Sequence, residues 1–220
     1  MKRERLGGGM LGDNREQKSD NVFWAIVFVV VILFFSFFAV RVYISNHFSG
    51  VVVNGTSMDK TLYDGERLIM RYTDENHKAE RGDIVIVYVG DYEECSSVKG
   101  GHLIKRLIAT EGDRLYCQNG QVYVQYAGTA DYVALYEPYA YYGENNGYKM
   151  QYDFTTYVVG AGEVFFLGDN RSSDGSSMDS RYQEGKSHLQ NALYKESDII
   201  GYIPDWALKR QSFLSKLPIW

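Results

Sequence analysis

Hydrophobic residues are distributed along the chain in two different ways. From Val22 to Val40 it reads VFWAIVFVVVILFFSFFAV, an uncharged apolar run of the ~20 residues a helix needs to cross the hydrocarbon of a bilayer, where every backbone polar group must be paired within the segment. This predicts a transmembrane helix over 21–43. A cleaved secretory signal peptide is the competing reading. The run is longer than the apolar core of such a peptide, and RVYISNHFSG after it offers no clear small-x-small cleavage site. Lys2, Arg3, Arg5, Arg15 and Lys18 precede the run, and Arg41 alone is basic just after it. That asymmetry places residues 1–20 in the cytoplasm as a polar tail and residues 44–220 outside it.

Beyond the apolar run the pattern becomes short and alternating. VVVNG, ERLIMRY, DIVIVYV, HLIKRLIA, QVYVQY, TYVV, EVFFLG and DIIGYI are separated by turn signals such as Asp64-Gly65, Gly82-Asp83 and Gly168-Asp169-Asn170. The expectation is a mainly β sheet or barrel domain, without the helices that a parallel α/β fold requires. Residues 120–157 mix tyrosines with Gly, Asn and Asp and read as an inserted strand-and-loop segment. The closing WALKRQSFLSKLPIW sets Trp206, Phe213, Leu214 and Leu217 near one helical face. It reads either as a short interfacial helix or as a segment packed on its own domain.

Composition narrows the function classes. With 22 Gly, 3 Pro and 19 Tyr in 220 residues, the chain favours strands and turns over helix bundles. A net charge of −5 and the lack of a long Lys/Arg run exclude a nucleic-acid partner, which would require phosphate neutralisation. Cys95 and Cys117 stand in no metal-ligand spacing, so no metal is expected. A disulfide between them and two free thiols are both open readings.

Four segments carry candidate chemistry. Asn54-Gly55-Thr56-Ser57-Met58-Asp59-Lys60-Thr61-Leu62 places a serine after a glycine turn. Such a turn exposes a hydroxyl and aims backbone N–H groups at a developing oxyanion, although a plain NG hairpin has the same signature. Arg81-Gly82-Asp83 is a turn entering a strand, and its integrin-ligand reading rests on three residues alone. In His102-Leu103-Ile104-Lys105-Arg106-Leu107, strand alternation puts Lys105 on the face of Leu103 and Leu107. At an ordinary pKa of ~10.4 about one lysine in 2,500 is neutral at pH 7. Burial favours the neutral amine that a general base needs. The fourth segment is Gly168-Asp169-Asn170-Arg171, followed by the polar stretch Ser172 to Arg181.

Taken in order, the serine turn, the RGD-strand, the LIKR-strand and GDNR…S-x-D-S-R resemble the bacterial type I signal peptidases over roughly residues 20–204. The resemblance implies a membrane-bound serine endopeptidase with Ser57 as nucleophile and Lys105 as general base. Ser177 would orient the lysine amine, Asp179 and Arg181 would form a supporting ion pair, and Asp169, Asn170 and Arg171 would organise their loop. Gly55, Thr56 and Met58 would shape the oxyanion and substrate site. The substrate would be the signal peptide of a preprotein, held as an extended strand with small residues such as alanine at the first and third positions before the cut. The other partner would be the lipid bilayer. No cofactor is implied, and the protein would function as a monomer.

The chain departs from the family pattern at several points. Lys60 stands where proline is usual, Ala109 and Glu111 where glycine and proline are common, and Gly55 where some relatives carry a serine. About three extra residues separate GDNR from S-x-D-S-R. Competing readings are a Ser/His hydrolase using His47, His77, His102 or His188, a self-cleaving Ser/Lys protease of the repressor type, and a membrane-tethered peptide-binding β domain that has lost activity.

Overall fold

The computed structural model describes residues 13–92, 98–143, 153–172, 180 and 194–208. The chain divides at His47 into two units. The first contains the helix α1 (Asp13–His47, 35 residues), which extends past the apolar run at both ends. The stretch from Asp20 to His47, 28 residues, is about 42 Å long at the α-helical rise, enough to cross a bilayer. Large apolar side chains, among them Phe23, Leu33 and Phe37, are exposed on it. At its end Ser45 Oγ donates to the Val42 carbonyl at 3.0 Å, and His47 Nδ1 bonds the Tyr43 carbonyl at 2.8 Å.

The second unit is built of antiparallel strands. They are β1 (Phe48–Val52), β2 (Arg67–Tyr72), β3 (Ile84–Tyr88), β4 (His102–Thr110), β5 (Arg114–Gln118), β6 (Gln121–Gln125), β7 (Val133–Ala134), β8 (Phe154–Val158), β9 (Glu163–Leu167), β10 (Tyr194–Lys195) and β11 (Ile199–Ile203). A seven-stranded sheet runs β1-β2-β11-β3-β4-β9-β10 and a four-stranded sheet runs β7-β6-β5-β8. The mainly β expectation holds. The second sheet begins at Arg114, six residues before the expected insert at 120. RLYCQ escaped the pattern because its buried positions are only Leu115 and Cys117, between polar neighbours.

Strand β4 joins the two sheets. Its pairing with β9 shifts register between Leu107 and Ala109, and such an extra residue bends a strand and re-aims its side chains. Leu103 and Leu107 therefore pack with Val85, Val87 and Phe166. Ile108 and Ala109 instead join Leu115, Val122, Val124, Phe154 and Phe165 beneath the second sheet. A third cluster, Val53, Met58, Leu62, Leu68, Met70, Ile84, Ile86 and Ile203, fills the space under β1 and the turn after it.

Two acidic residues pin the loops around the second sheet. Asp113, fully buried, accepts from Thr110 N and Ala127 N at 2.9 Å each and from Arg81 Nε and Nη2 at 2.6 and 2.9 Å. The arginine of the RGD tripeptide is thus engaged internally. Its Asp83 accepts from Glu80 N at 2.8 Å, and burial raises that carboxyl above its ordinary range. At the β5–β6 turn, Asp153 accepts from Asn119 N at 2.9 Å and Gly120 N at 2.8 Å.

Cys117 is a free, buried thiol whose Sγ donates to Asp153 Oδ1 at 3.6 Å; Cys95 lies outside the described residues. Burial, and then the Asp153 carboxylate, push the Cys117 thiol up to about 12, and the thiolate is the reactive form. In a Cys95→Ser chain at pH 8, iodoacetamide is therefore expected to leave Cys117 unlabelled until denaturant is added. Mass spectrometry reads this directly, and prompt labelling of the folded chain contradicts the buried placement.

Candidate active site

Ser57 lies in the turn that leaves β1. Val53 N donates to Glu66 O at 2.8 Å and Gly65 N to Val53 O at 2.9 Å, closing the loop, and Gly55 N donates to Asp64 Oδ1 at 2.7 Å. Thr61 N and Leu62 N both donate to the Met58 carbonyl, at 3.0 and 2.8 Å. Met58 and Leu62, 1% and 0% exposed, anchor the turn in the core and leave Ser57 half-buried at the rim. Gly55 has a φ of +92°, a conformation that glycine adopts without strain and a serine would not.

Lys105 arrives from β4, opposite Val85 of β3. Exposure alternates from His102 to Leu107, with Leu103, Lys105 and Leu107 the buried set. Lys105 is 2% exposed, and its Nζ donates to Ser57 Oγ at 2.6 Å. Both residues open onto a cleft of about 860 Å³ lined by 50–58 on one side and His102–Lys105 on the other, with Met70 and Ile86 also at its wall. Across the cleft, among the described residues β1 pairs only with β2. The β4–β9 ladder begins at Arg106, so among the described residues no strand lies beside that edge of His102–Lys105.

The loop after β9 holds the turn in place. A Cβ on Gly168 would stand 2.5 Å from the Ser57 carbonyl oxygen, so only glycine permits this approach. Asn170 N donates to that same carbonyl at 3.0 Å, and Asn170 Nδ2 to the Thr56 carbonyl at 3.0 Å. Asp169 N donates to Met58 Sδ at 3.4 Å. The fully buried Asp169 carboxylate takes Arg106 bidentately, at 2.8 and 2.5 Å, and the Thr61 hydroxyl at 2.6 Å. Arg106 also donates to the Gly82 carbonyl at 2.6 Å and stacks 3.9 Å over the Tyr139 ring. Burial, with the Glu137 carboxylate next, pushes the Tyr139 phenol upward, so the ring stays neutral beneath the guanidinium.

Residues 137–143 close the far side. Tyr141 N donates to Asp169 O at 2.8 Å and Arg171 N to Tyr141 O at 2.6 Å, forming a bridge between Tyr141 and Asn170. Arg171, fully buried, donates through Nε to Gly168 O at 2.6 Å and through both terminal nitrogens to Glu137, whose side chain is 4% exposed. Lys60, at a φ of +74°, sits 4.8 Å over the Tyr141 ring. Proline, held near −65°, could not take that φ, and a lysine pays on the order of 1–3 kcal/mol for it.

The residues singled out from sequence are therefore spread unevenly. Ser57, Lys105, Gly55, Thr56, Met58, Asp169 and Asn170 converge on one turn, and Arg171 braces the loop from behind. Ser177, Asp179 and Arg181 lie outside the described residues, as does His188. His77 is engaged by Asp74 at 2.8 Å, and His102 by the Gly100 carbonyl and the Tyr88 ring. Sequence reasoning missed Arg106, Thr61, Gly168, Glu137 and Tyr141. Arg106 had one signal: it neighbours Lys105 on the alternate strand face. The two tyrosine-segment residues had none.

The family model described as "Signal peptidase, peptidase S26" matches residues 21–204. A signal peptidase I of Bacillus licheniformis is 38% identical over 61% of this chain and 66% of its own length. A signal peptidase I P of Bacillus subtilis subsp. natto is 33% identical over 70% of this chain and 73% of its own. The crystal structure of a signal peptidase I from Enterococcus faecalis aligns with a TM-score of 0.41 at 24% identity, covering 58% of this chain and 98% of that one. The family model and the Bacillus relatives define the class, a serine endopeptidase. Within it, the chain belongs to the signal peptidase family, peptidase S26.

Two outcomes follow from the loop packing. Gly168→Ala is expected to displace the Ser57 turn and lower peptidase kcat by about 10²-fold, the scale of a misplacement near 1 Å; wild-type kcat in that variant contradicts the close approach. Glu137→Gln leaves Arg171 buried without its counter-charge and is expected to cost about 3–5 kcal/mol in denaturant unfolding. The double change Glu137→Leu/Arg171→Met recovers most of that loss.

Proposed function

We propose that this chain is a membrane-tethered endopeptidase that removes signal peptides from exported preproteins, with Ser57 as nucleophile and Lys105 as general base. The observation that carries the reading is the 2.6 Å contact between the Ser57 hydroxyl and an amine buried to 2% exposure. Such an amine is poorly solvated when charged, which favours its neutral, basic form. The neutral lysine takes the Ser57 proton and the alkoxide attacks the scissile carbonyl. The amine returns its proton to the leaving amine, and a water activated by the same lysine hydrolyses the acyl-enzyme. The Ser57 N–H, which bonds no backbone carbonyl among the described residues, is a suitable donor to the tetrahedral oxyanion. Ser177, Asp179 and Arg181 keep the supporting roles that the resemblance implies.

Substrate enters as a strand. The cleft runs between the edge of β1 and the open half of β4, so an extended peptide adds to the sheet through main-chain hydrogen bonds. Val53, Met70, Ile86 and Ile104 give the cleft an apolar wall that accepts small side chains beside Ser57. Helix α1 serves as a single-pass anchor with the N-terminus in the cytoplasm and tethers the β domain to the bilayer in which the apolar segment of a signal peptide lies.

Cleavage of a model preprotein by the detergent-solubilised chain tests the assignment. Cutting after a small-x-small site is expected, and Ser57→Ala and Lys105→Ala should each reduce it by at least about 10³-fold. Lys105→Arg should be equally inactive, because a guanidinium cannot shed its proton. Activity surviving Lys105→Arg names another base. A folded wild type that is inert toward several preproteins favours the peptide-binding reading.

A further inference from the structure

We infer that Lys60 and Tyr141 form a clasp that positions the nucleophile turn, with both acting as positioning residues; the inference rests on Ser57 being the nucleophile. The turn is gripped on both sides of the serine, and Thr61 and Met58 also bond Asp169. On the Thr56–Ser57 side, Asn170 bonds both carbonyls. On the other side, three residues past Ser57, Lys60 places its Nζ over the Tyr141 ring at 4.8 Å. Tyr141 is itself stitched by its backbone to Asp169 and Arg171, on either side of the same Asn170. The cation therefore docks on a residue fixed to the loop that grips the serine, and the turn, the loop after β9 and residues 137–143 close into one ring of contacts.

Backbone conformation makes this clasp an informative arrangement. Lys60 and Asn119 are the only non-glycine residues with positive φ among those described. Asn119 sits in the Asn119-Gly120 hairpin turn, where asparagine is a favoured residue. Lysine has no such preference, and glycine would fit position 60 with less strain. An exposed lysine in strained backbone whose ammonium lies over an aromatic face is explained by what the ammonium does there, since attraction between a cation and a ring is directional. Strain and clasp can therefore be separated experimentally. Lys60→Gly relieves the backbone and removes the cation, whereas Lys60→Arg keeps the cation.

The full-length chain in detergent is assayed for kcat, KM and melting temperature on a model preprotein as Lys60→Gly, Lys60→Arg, Tyr141→Leu, Tyr141→Phe and Lys60→Gly/Tyr141→Leu. The expected pattern is a fall in kcat of about 2- to 5-fold for Lys60→Gly, with KM unchanged and a melting temperature equal to or above wild type. Tyr141→Leu should lose a similar factor, the double variant should lose no more than either single one, and Lys60→Arg and Tyr141→Phe should retain wild-type kcat. Unchanged kcat in Lys60→Gly, a change confined to KM, or fully multiplicative losses in the double variant would each overturn the clasp. Ser57→Ala and Lys105→Ala run in parallel: activity in either one refutes the dyad itself, whatever position 60 does.

Discussion

A lysine amine withdrawn from water against a serine hydroxyl is the constraint around which this domain is arranged. Dry surroundings disfavour the ammonium, so the strand that carries Lys105 must be walled by apolar side chains while its tip still reaches a solvent-facing turn. Strand β4 meets both demands. Leu103 and Leu107 flank the lysine on its own face, and the chain that answers it is anchored by Met58 and Leu62 in a different cluster. The serine is presented to the cleft, half-buried, by a turn that Val53, Met58 and Leu62 anchor in the core.

Rigidity at the turn comes chiefly from the loop after β9. Gly168 lets two backbones approach more closely than any side chain allows, and Asn170 donates to the carbonyls of both Ser57 and Thr56. The charge of Asp169, fully buried, is balanced by Arg106, which neighbours Lys105 in sequence. Adjacent residues on β4 thus serve opposite faces, one presenting an amine to the cleft and the other fastening the loop that holds the serine. Charge pairs of this kind lie in series, with Arg81–Asp113, Arg106–Asp169 and Arg171–Glu137 each joining segments distant in sequence. Where both partners are buried, as in Arg171–Glu137, such a pair adds little net stability compared with apolar packing, but removing one partner is costly. Such pairs favour a single arrangement of the loops.

The second sheet, whose function the sequence left blank, contributes through its connection to the site. Residues 137–143, which follow β7, reach the loop after β9. There Tyr139 stacks on Arg106, Tyr141 bridges Asn170, and Glu137 neutralises Arg171. Tyr139 and Tyr141 each supply a wide ring face, one for a guanidinium and the other for an ammonium.

Local sequence alone specified a good deal. An uninterrupted apolar run can only be a helix in hydrocarbon, and period-two burial marks strands, so α1 and most of the large sheet were legible. The four motifs, in their order, identified the family. Alternation along HLIKRL also put Lys105 on the buried face, because side-chain direction in a strand follows directly from position. Pairing across the chain was decided only by the tertiary structure. Nothing in Gly168 announces its approach to Ser57. Nothing in Arg106 names Asp169 as its partner, and nothing in a tyrosine-rich insert points to Asn170. RLYCQ became β5 only because β6 and β8 flank it, and Lys60 adopts a backbone that proline could not share because the surrounding contacts hold it there. Conformational preference acts over a few residues and can be read locally. Close packing and the pairing of buried charge depend on which distant segments fold against one another, and only the assembled domain determines that.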